Sequence, residues 1–339
     1  MGGDHGCEVV IRGALEALQL NADIQELFLV GRQPEIEAAL HKCGNHDSRV
    51  TLVHASEVLT MEDKPVEGLR RKKDCSILRA VDLLKDGRAE AMISPGNTGA
   101  VVAAATIRLR PLAEVDRPAI AAIIPAPKNH FVLLDAGANV ECRPRHLAQY
   151  AIMGSVYSEK ILGYSKPRVG ILSVGTEDVK GNELTLEAFK LCRDCPINFI
   201  GNIEGHDLFA NRVDVVVCDG FVGNVVLKTC ESLASNLFAW LKAELTSSPG
   251  RSLGAWMARG AFRTIKQRLD PAESGGAPLL GLNGNVMIAH GAADERAIRN
   301  SIRAMSEAVK HNINHSISQE ITRANAGMDK LQHAPHASS

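Results

Sequence analysis

Val213-Asp214-Val215-Val216-Val217-Cys218-Asp219-Gly220-Phe221-Val222-Gly223-Asn224 is the stretch on which the fold turns. A short apolar run of strand length, Val213 to Cys218, ends in a small-residue turn that opens a helix. Strand, glycine turn and helix in succession form the repeating unit of an α/β sheet with helices on both faces.

The same unit recurs outward from this stretch. Apolar runs of strand length occur at Leu27–Val30, Val50–Val53, Ala91–Ile93, Ala121–Ile124, Phe131–Leu134, Val169–Leu172, Ile197–Ile200 and Val286–Ile288. Runs without polar alternation suit strands covered on both faces, as in a parallel sheet. Amphipathic helices are expected between them at Val9–Leu20, Cys75–Leu84, Leu147–Ile161 and Leu184–Leu191. The fold class is therefore α/β, with a doubly wound, mostly parallel sheet as a single unit over 1–324. A helical arm at about 221–269, broken near Ser247-Ser248-Pro249-Gly250, is expected to leave it. Gly2-Gly3 leads straight into a helix without the opening strand usual in such a fold. The tail after Ala324 is expected to be disordered.

Composition excludes several classes. With 339 residues and 45% hydrophobic content, the chain has ample material for a core. Its 38 Lys and Arg against 39 Asp and Glu leave a net charge of −1, and aromatic residues make up 4%. Neither a basic field nor stacking platforms for nucleic acid are present. No apolar stretch approaches the roughly 20 residues needed to span a bilayer. Met1-Gly2-Gly3-Asp4-His5-Gly6 lacks the regions of a signal peptide, which points to the cytoplasm. Most of the 8 Cys have apolar neighbours and read as small core residues, and Cys192-x-x-Cys195 has no second pair to complete a metal site.

Glycine turns follow several strands: Ser94-Pro95-Gly96-Asn97-Thr98-Gly99, Asp135-Ala136-Gly137-Ala138-Asn139, Ser173 to Asn182, Asp219 to Asn224, and His290-Gly291. In a parallel sheet such turns share the carboxyl edge, where ligands of α/β sheets bind. Glycine allows close backbone approach, and helix N-termini offer N–H groups to an anion. Lys180, Asn224 and Asn97 should then gather at one end of the fold. Neither G-x-G-x-x-G nor G-x-x-x-x-G-K-[ST] occurs, so no dinucleotide or P-loop nucleotide has its fingerprint, and no cofactor is expected. G-x-S-x-G is absent too. His311 and His315 fall one helical turn apart without an accompanying acidic motif, so no metal is expected.

Taken in order, Gly2-Gly3-Asp4-His5-Gly6, Gly96-Asn97-Thr98-Gly99-Ala100, Gly137-Ala138-Asn139-Val140-Glu141-Cys142 and Gly201-Asn202-Ile203-Glu204-Gly205 form a set with two later motifs. These are Cys218 to Asn224 and Gly275 to Gly284. The set resembles the bacterial phosphate acyltransferase family, PlsX, over almost the whole chain. Cys7 stands where that family usually carries Pro, and a short strand usually precedes Met1-Gly2-Gly3. The resemblance implies a Rossmann-like sheet related to phosphotransacetylases, a homodimer, and weak attachment to the inner face of the cytoplasmic membrane. It implies the conversion of acyl-(acyl carrier protein) and inorganic phosphate into acyl-phosphate for phospholipid synthesis. A membrane glycerol-3-phosphate acyltransferase would be the partner that consumes the product.

The chemistry this implies needs no covalent enzyme intermediate. Phosphate is already anionic, and a thiol with a pKa of about 8.5 leaves readily. Holding two anionic reactants and stabilising an oxyanion remain, which are positioning and electrostatic tasks. By the resemblance, Lys180 and Asn224 are the catalytic candidates, and His5, Asn97, Thr98, Gly137 and Asn139 the phosphate-pocket candidates. Arg70-Arg71-Lys72-Lys73 is the densest basic run, a solvated face or an attraction for an acidic carrier protein. In the arm, Leu253, Trp256 and Met257 fall at i, i+3, i+4 beside Arg259, Arg263, Lys266 and Arg268. That pattern suits either an anionic membrane surface or a dimer interface. A phosphotransacetylase-like enzyme using acyl-coenzyme A, and a catalytically silent membrane scaffold for acyl carrier protein, are the alternative readings.

Overall fold

The computed structural model describes residues 1–44 and 47–332. Its first half runs α1 (Gly6–Leu20), β1 (Leu27–Gly31), α2 (Gln33–Cys43), β2 (Val50–His54), α3 (Pro65–Arg71), α4 (Ser76–Lys85), β3 (Ala91–Ser94), α5 (Thr98–Leu109), β4 (Ala119–Pro125), β5 (His130–Leu134) and α6 (Pro144–Lys160). The second half continues with β6 (Arg168–Leu172), α7 (Glu183–Arg193), β7 (Asn198–Ile203), β8 (Val215–Val217), α8 (Gly220–Leu245), α9 (Pro249–Met257), α10 (Arg259–Arg268), β9 (Ala277–Leu280), β10 (Asn285–Ile288), α11 (Glu295–Lys310) and α12 (Ile313–Gln332). The α/β class with a mostly parallel sheet is as expected, and three helices, α8 to α10, occupy the stretch read as an arm.

Eight strands form one sheet in the order β3-β10-β9-β4-β5-β8-β6-β7. Helix α6 fills the core on one face, buried without a break from His146 to Ser158, and packs against α7, α12, β5 and β8. It approaches β8 closely because Gly154 has no side chain: a Cβ there would lie 2.5 Å from Val215 Cγ1. The opposite face is covered by α4, α5 and the first turns of α8.

Four features depart from the sequence reading. β1 and β2 pair with each other in a separate parallel sheet, closed by Ile11, Leu15 and Leu18 of α1. β9 is a strand the sequence conceals, with Pro278 opposite Met287 of β10. Third, α12 continues past Ala324 to Gln332, so a disordered tail is not what occupies 325–332; residues 333–339 lie outside the described residues.

The fourth is strand direction. β10 pairs antiparallel with β9, β9 with β4, and β4 with β5. The sheet is thus two parallel blocks that point opposite ways, β3-β10 and β5-β8-β6-β7, joined by β9 and β4; β4 points with β3 and β10, and β9 with β5. The turns expected on one rim divide between opposite edges. Asp135–Asn139, Ser173–Asn182 and Asp219–Asn224 share an edge, and Pro95–Thr98 and His290–Gly291 lie at the other.

Candidate active site

The edge that carries most of the candidates is built from β5, β8 and β6. Leu134 pairs with Val217, and Val217 with Ile171, so the turns that follow leave neighbouring strands at the same end. After β5, the fully buried Asp135 gathers its own turn. Its Oδ1 accepts from the backbone N–H groups of Ile120, Gly137 and Ala138 at 3.0, 3.2 and 3.0 Å. Its Oδ2 accepts from the Asn139 backbone N–H at 2.7 Å and from Asn139 Nδ2 at 3.0 Å.

Asn139 Nδ2 also donates to the Pro118 carbonyl at 2.7 Å. Both protons of that amide are therefore engaged, and the side chain holds the turn instead of offering a donor to phosphate. The Asn139 carbonyl accepts from the Gly220 N–H at 2.8 Å, which ties the turn to the start of α8.

Helix α8 begins at an Asp219 cap, whose Oδ1 accepts from Val222 N at 2.9 Å. It comes this close to the neighbouring turn only through glycine. A Cβ at Gly220 would lie 2.6 Å from the Asn139 carbonyl oxygen, and one at Gly223 would overlap the Asp135 carbonyl oxygen. The approach sets Asn224 over Gly137, whose φ of +134° favours glycine; a Cβ there would lie 3.5 Å from Asn224 Oδ1.

After β6, the turn carrying Lys180 is held by its backbone. The Lys180 carbonyl accepts from Ser173 Oγ at 3.2 Å and from Asn202 Nδ2 at 3.2 Å, and Asn202 Nδ2 also donates to the Glu177 carbonyl at 2.9 Å. The lysine side chain is exposed, its stem crossing Gly175, and no bond or ion pair of its ammonium is seen among the described residues. Lys180 and Asn224 thus stand as exposed donors on turns from adjacent strands, with Gly137 beneath the second.

The remaining phosphate-pocket candidates lie elsewhere. Asn97 is at the opposite edge and buried, its Nδ2 donating to the carbonyls of Thr60, Met61 and Asp63 at 3.2, 3.2 and 3.0 Å and its Oδ1 capping Ala100 N at 3.0 Å. Its hydrogen-bonding capacity is spent on joining α5 to the 60–63 loop. Thr98 is exposed at the first position of α5, and His5 is exposed just before α1, where Asp4 N donates to the Gly291 carbonyl at 2.8 Å. The edge at β3 and β10 is thus a second, separate gathering of glycine turns.

Other sequence features find structural roles. In the basic run, Lys72 bonds Asp63 at 2.5 Å, holding that carboxyl down at about 2, while Arg70, Arg71 and Lys73 are exposed. Cys192 and Cys195 are buried, and burial pushes the Cys195 thiol up to about 11. Thiols of that kind are core residues with little thiolate. His311 and His315 are exposed at the junction of α11 and α12. Leu253, Trp256 and Met257 are 61%, 62% and 75% exposed on α9.

Asp135 and Asn202 are the residues the sequence reading passes over, although Asp135 opens one of the glycine turns it singles out and Asn202 stands in the motif Gly201 to Gly205, on β7. For Asp135 the available signal is turn chemistry, since an Asp side chain bonds its own backbone neighbours at such a position; Asn202 bonds the carbonyls of the distant Glu177 and Lys180 and leaves no local signal.

Residues 1–316 match the model of a family described as fatty acid synthesis protein. The phosphate acyltransferase of Heliobacterium modesticaldum is 47% identical over 322 residues, covering 95% of this chain and 96% of the relative. That of Pelotomaculum thermopropionicum is 47% identical over 324 residues, covering 95% and 93%. Among solved structures, a phosphotransacetylase from Streptococcus pyogenes matches with a TM-score of 0.59 at 18% identity, over 89% of this chain and 91% of that one. The EutD phosphotransacetylase of Staphylococcus aureus matches with a TM-score of 0.58 at 16% identity, over 90% and 92%. At those identities the two structures share the fold.

Proposed function

The chain belongs to the fatty acid synthesis protein family, its named relatives are phosphate acyltransferases, and from that premise we propose that it transfers a fatty acyl group from acyl-(acyl carrier protein) to inorganic phosphate. It is an acyltransferase, and the finer reading concerns donor, acceptor and place.

A phosphate oxygen attacks the thioester carbonyl carbon, forming the new C–O bond and placing negative charge on the carbonyl oxygen. Collapse of that intermediate breaks the C–S bond. The thiolate leaves with the electron pair and takes a proton, and acyl-phosphate remains. Lys180 attracts the phosphate and stabilises the developing oxyanion, and Asn224 donates a hydrogen bond to either. The observation that carries this reading is the placement of two exposed donors, one cationic and one neutral, on turns from the adjacent strands β6 and β8. Asn224 packs directly over Gly137, which fixes where its amide stands. His5, Thr98 and Asn97 are left out of the pocket because they sit at the other edge.

The arm supports the reading of place. The outer face of α8 leaves Phe221, Val225, Leu233, Leu237 and Trp240 exposed, with Val225, Leu233 and Trp240 along an open groove, which suits burial against a second copy of the chain. The tip carries Leu253, Trp256 and Met257 with basic neighbours, which suits the anionic inner face of the cytoplasmic membrane. No helix among the described residues is long and apolar enough to cross a membrane. Acyl-phosphate is a reactive anhydride, and delivery at that surface to a glycerol-3-phosphate acyltransferase would place it in phospholipid synthesis.

The test is acyl-phosphate formation from purified acylated carrier protein and inorganic phosphate, run beside the same reaction with acyl-coenzyme A. Phosphate-dependent consumption of the carrier-protein donor is expected. Preference for coenzyme A would replace the donor, and no turnover with either would leave the scaffold reading.

A further inference from the structure

We propose that Asp135 is a positioning residue for the reaction, holding Asn224 in place through Asn139 and the first turn of α8. The proposal rests on the reading of Asn224 as a group that touches the reactants.

Asp135 is fully buried between the end of β5 and the start of β4, and each of its carboxylate oxygens meets only donors. A carboxylate in such a place is held by charge-assisted hydrogen bonds, stronger than neutral ones and costly to leave unmade. The two oxygens do different work. Oδ1 bonds three backbone N–H groups and shapes the turn around Gly137, whereas Oδ2 bonds only Asn139, through its backbone and its side chain. Asn139 in turn bonds the Pro118 carbonyl and receives the Gly220 N–H. The Asp135 carbonyl lies against Gly223, one residue before Asn224. Carboxylate, Asn139 and the α8 N-terminus therefore form one contiguous, hydrogen-bonded support behind Asn224.

Asp135→Asn is a pointed perturbation because it keeps the shape. The new amide oxygen is expected to take the three backbone donors of the Oδ1 site. Its NH2 group then faces the two donors of Asn139, and the second link is lost while the first survives. The turn stays closed and α8 loses its tether.

The experiment is a double-mutant cycle on kcat with phosphate saturating: wild type, Asp135→Asn, Asn224→Ala and the double variant, each checked by thermal melting. Asn224→Ala is expected to lower kcat on the order of 10²-fold, within the range for removal of one oxyanion donor. Asp135→Asn is expected to lower it at least tenfold, and to add less than about threefold once Asn224 is already Ala, because residues acting through one another are not additive. Independent effects that multiply in the double variant overturn the proposal, as does a normal kcat in Asp135→Asn. A normal kcat in Asn224→Ala overturns the prior reading of Asn224 and this inference with it. Should Asp135→Asn fail to fold, Asn139→Ala removes the side-chain half of the same link while the backbone N–H bond remains, and must show the same non-additivity with Asn224→Ala.

Discussion

Asn202 Nδ2 donates to the Lys180 carbonyl at 3.2 Å, so a side chain on β7 fixes the backbone of a lysine that follows β6. The same nitrogen bonds the Glu177 carbonyl, and the buried Asn202 Oδ1 has no partner among the described residues. One amide thus pins both ends of the turn while the lysine head stays free. Asn202→Ala should lower kcat/KM for phosphate roughly tenfold or more, because a misplaced catalytic group costs rate steeply. Asn202→Asp should be worse, since a carboxylate oxygen would face two carbonyls. Steady-state kinetics with a thermal melt on each variant decide it, and unchanged kinetics for Asn202→Ala would mean that Ser173 suffices to hold the turn.

Lys180 and Asn224 are both exposed, so their removal tests chemistry with little penalty in stability. Lys180→Ala and Asn224→Ala should each reduce turnover by about 10²–10³-fold and leave melting temperatures within a few degrees. Lys180→Ala should also raise KM for phosphate, because it removes the cation. Turnover near the wild-type rate in both variants would remove these residues from the mechanism.

These two residues are legible in the sequence only through family resemblance, since a lone lysine and a lone asparagine in glycine turns have no pattern of their own. The strands β5, β6 and β8 are legible as apolar runs closed by small residues. β9 is not, because Gly275-Gly276 and Pro278 carry the marks of a loop. Direction is invisible for a physical reason: a strand apolar on both faces reads alike whichever way it points, and the reversal at β9 and β4 is set by pairing. The single rim failed there, and Asn97 went to the far edge with it. Asp135 stands in a glycine turn and Asn202 in the Gly201 to Gly205 motif, but their burial is a product of tertiary packing.

His146 should make the protein acid-sensitive near neutrality. It is buried in α6, its Nδ1 accepts from Arg143 N at 3.1 Å, and its Nε2 is 3.9 Å from Asp116. Burial holds its pKa below the usual value, with Arg117 and Arg143 adding to the effect and Asp116 opposing it. The folded chain therefore resists a proton that the unfolded chain accepts below about pH 6.5, and stability falls as pH drops through that value. Between pH 7.5 and 5.5 the melting temperature should fall more for the wild type than for His146→Asn. Parallel slopes would assign the acid sensitivity to other groups.

Glycines in the two ends of the arm should respond oppositely to alanine. In α8, a Cβ at Gly223 overlaps the Asp135 carbonyl oxygen, which is backbone and cannot step aside. Gly223→Ala should destabilise by about 1–3 kcal/mol or more and should take activity with it. In α9, a Cβ at Gly254 meets nothing within 4 Å. Gly254→Ala should instead stabilise by about 0.5–1 kcal/mol through helix propensity. Chemical denaturation of both variants reads the pair; equal effects would contradict the close approach of α8 to the Asp135 turn.

Trp256 is the side chain on which membrane attachment should turn. It is 62% exposed between Leu253 and Met257, and the Arg259 guanidinium lies 5.4 Å from its ring centroid. That pairing sets an amphipathic ring beside a cation at the level where a headgroup phosphate would meet both. Trp256→Glu replaces an inserting ring with a charge that anionic lipid repels, and should reduce co-sedimentation with phosphatidylglycerol vesicles severalfold. Raising salt should weaken wild-type binding, because the basic residues of α10 act through a screened field. Neutral phosphatidylcholine vesicles should bind poorly in every case. If Trp256→Glu pellets with anionic vesicles as fully as the wild type, the tip does not enter the bilayer, and its apolar residues must be covered by protein instead.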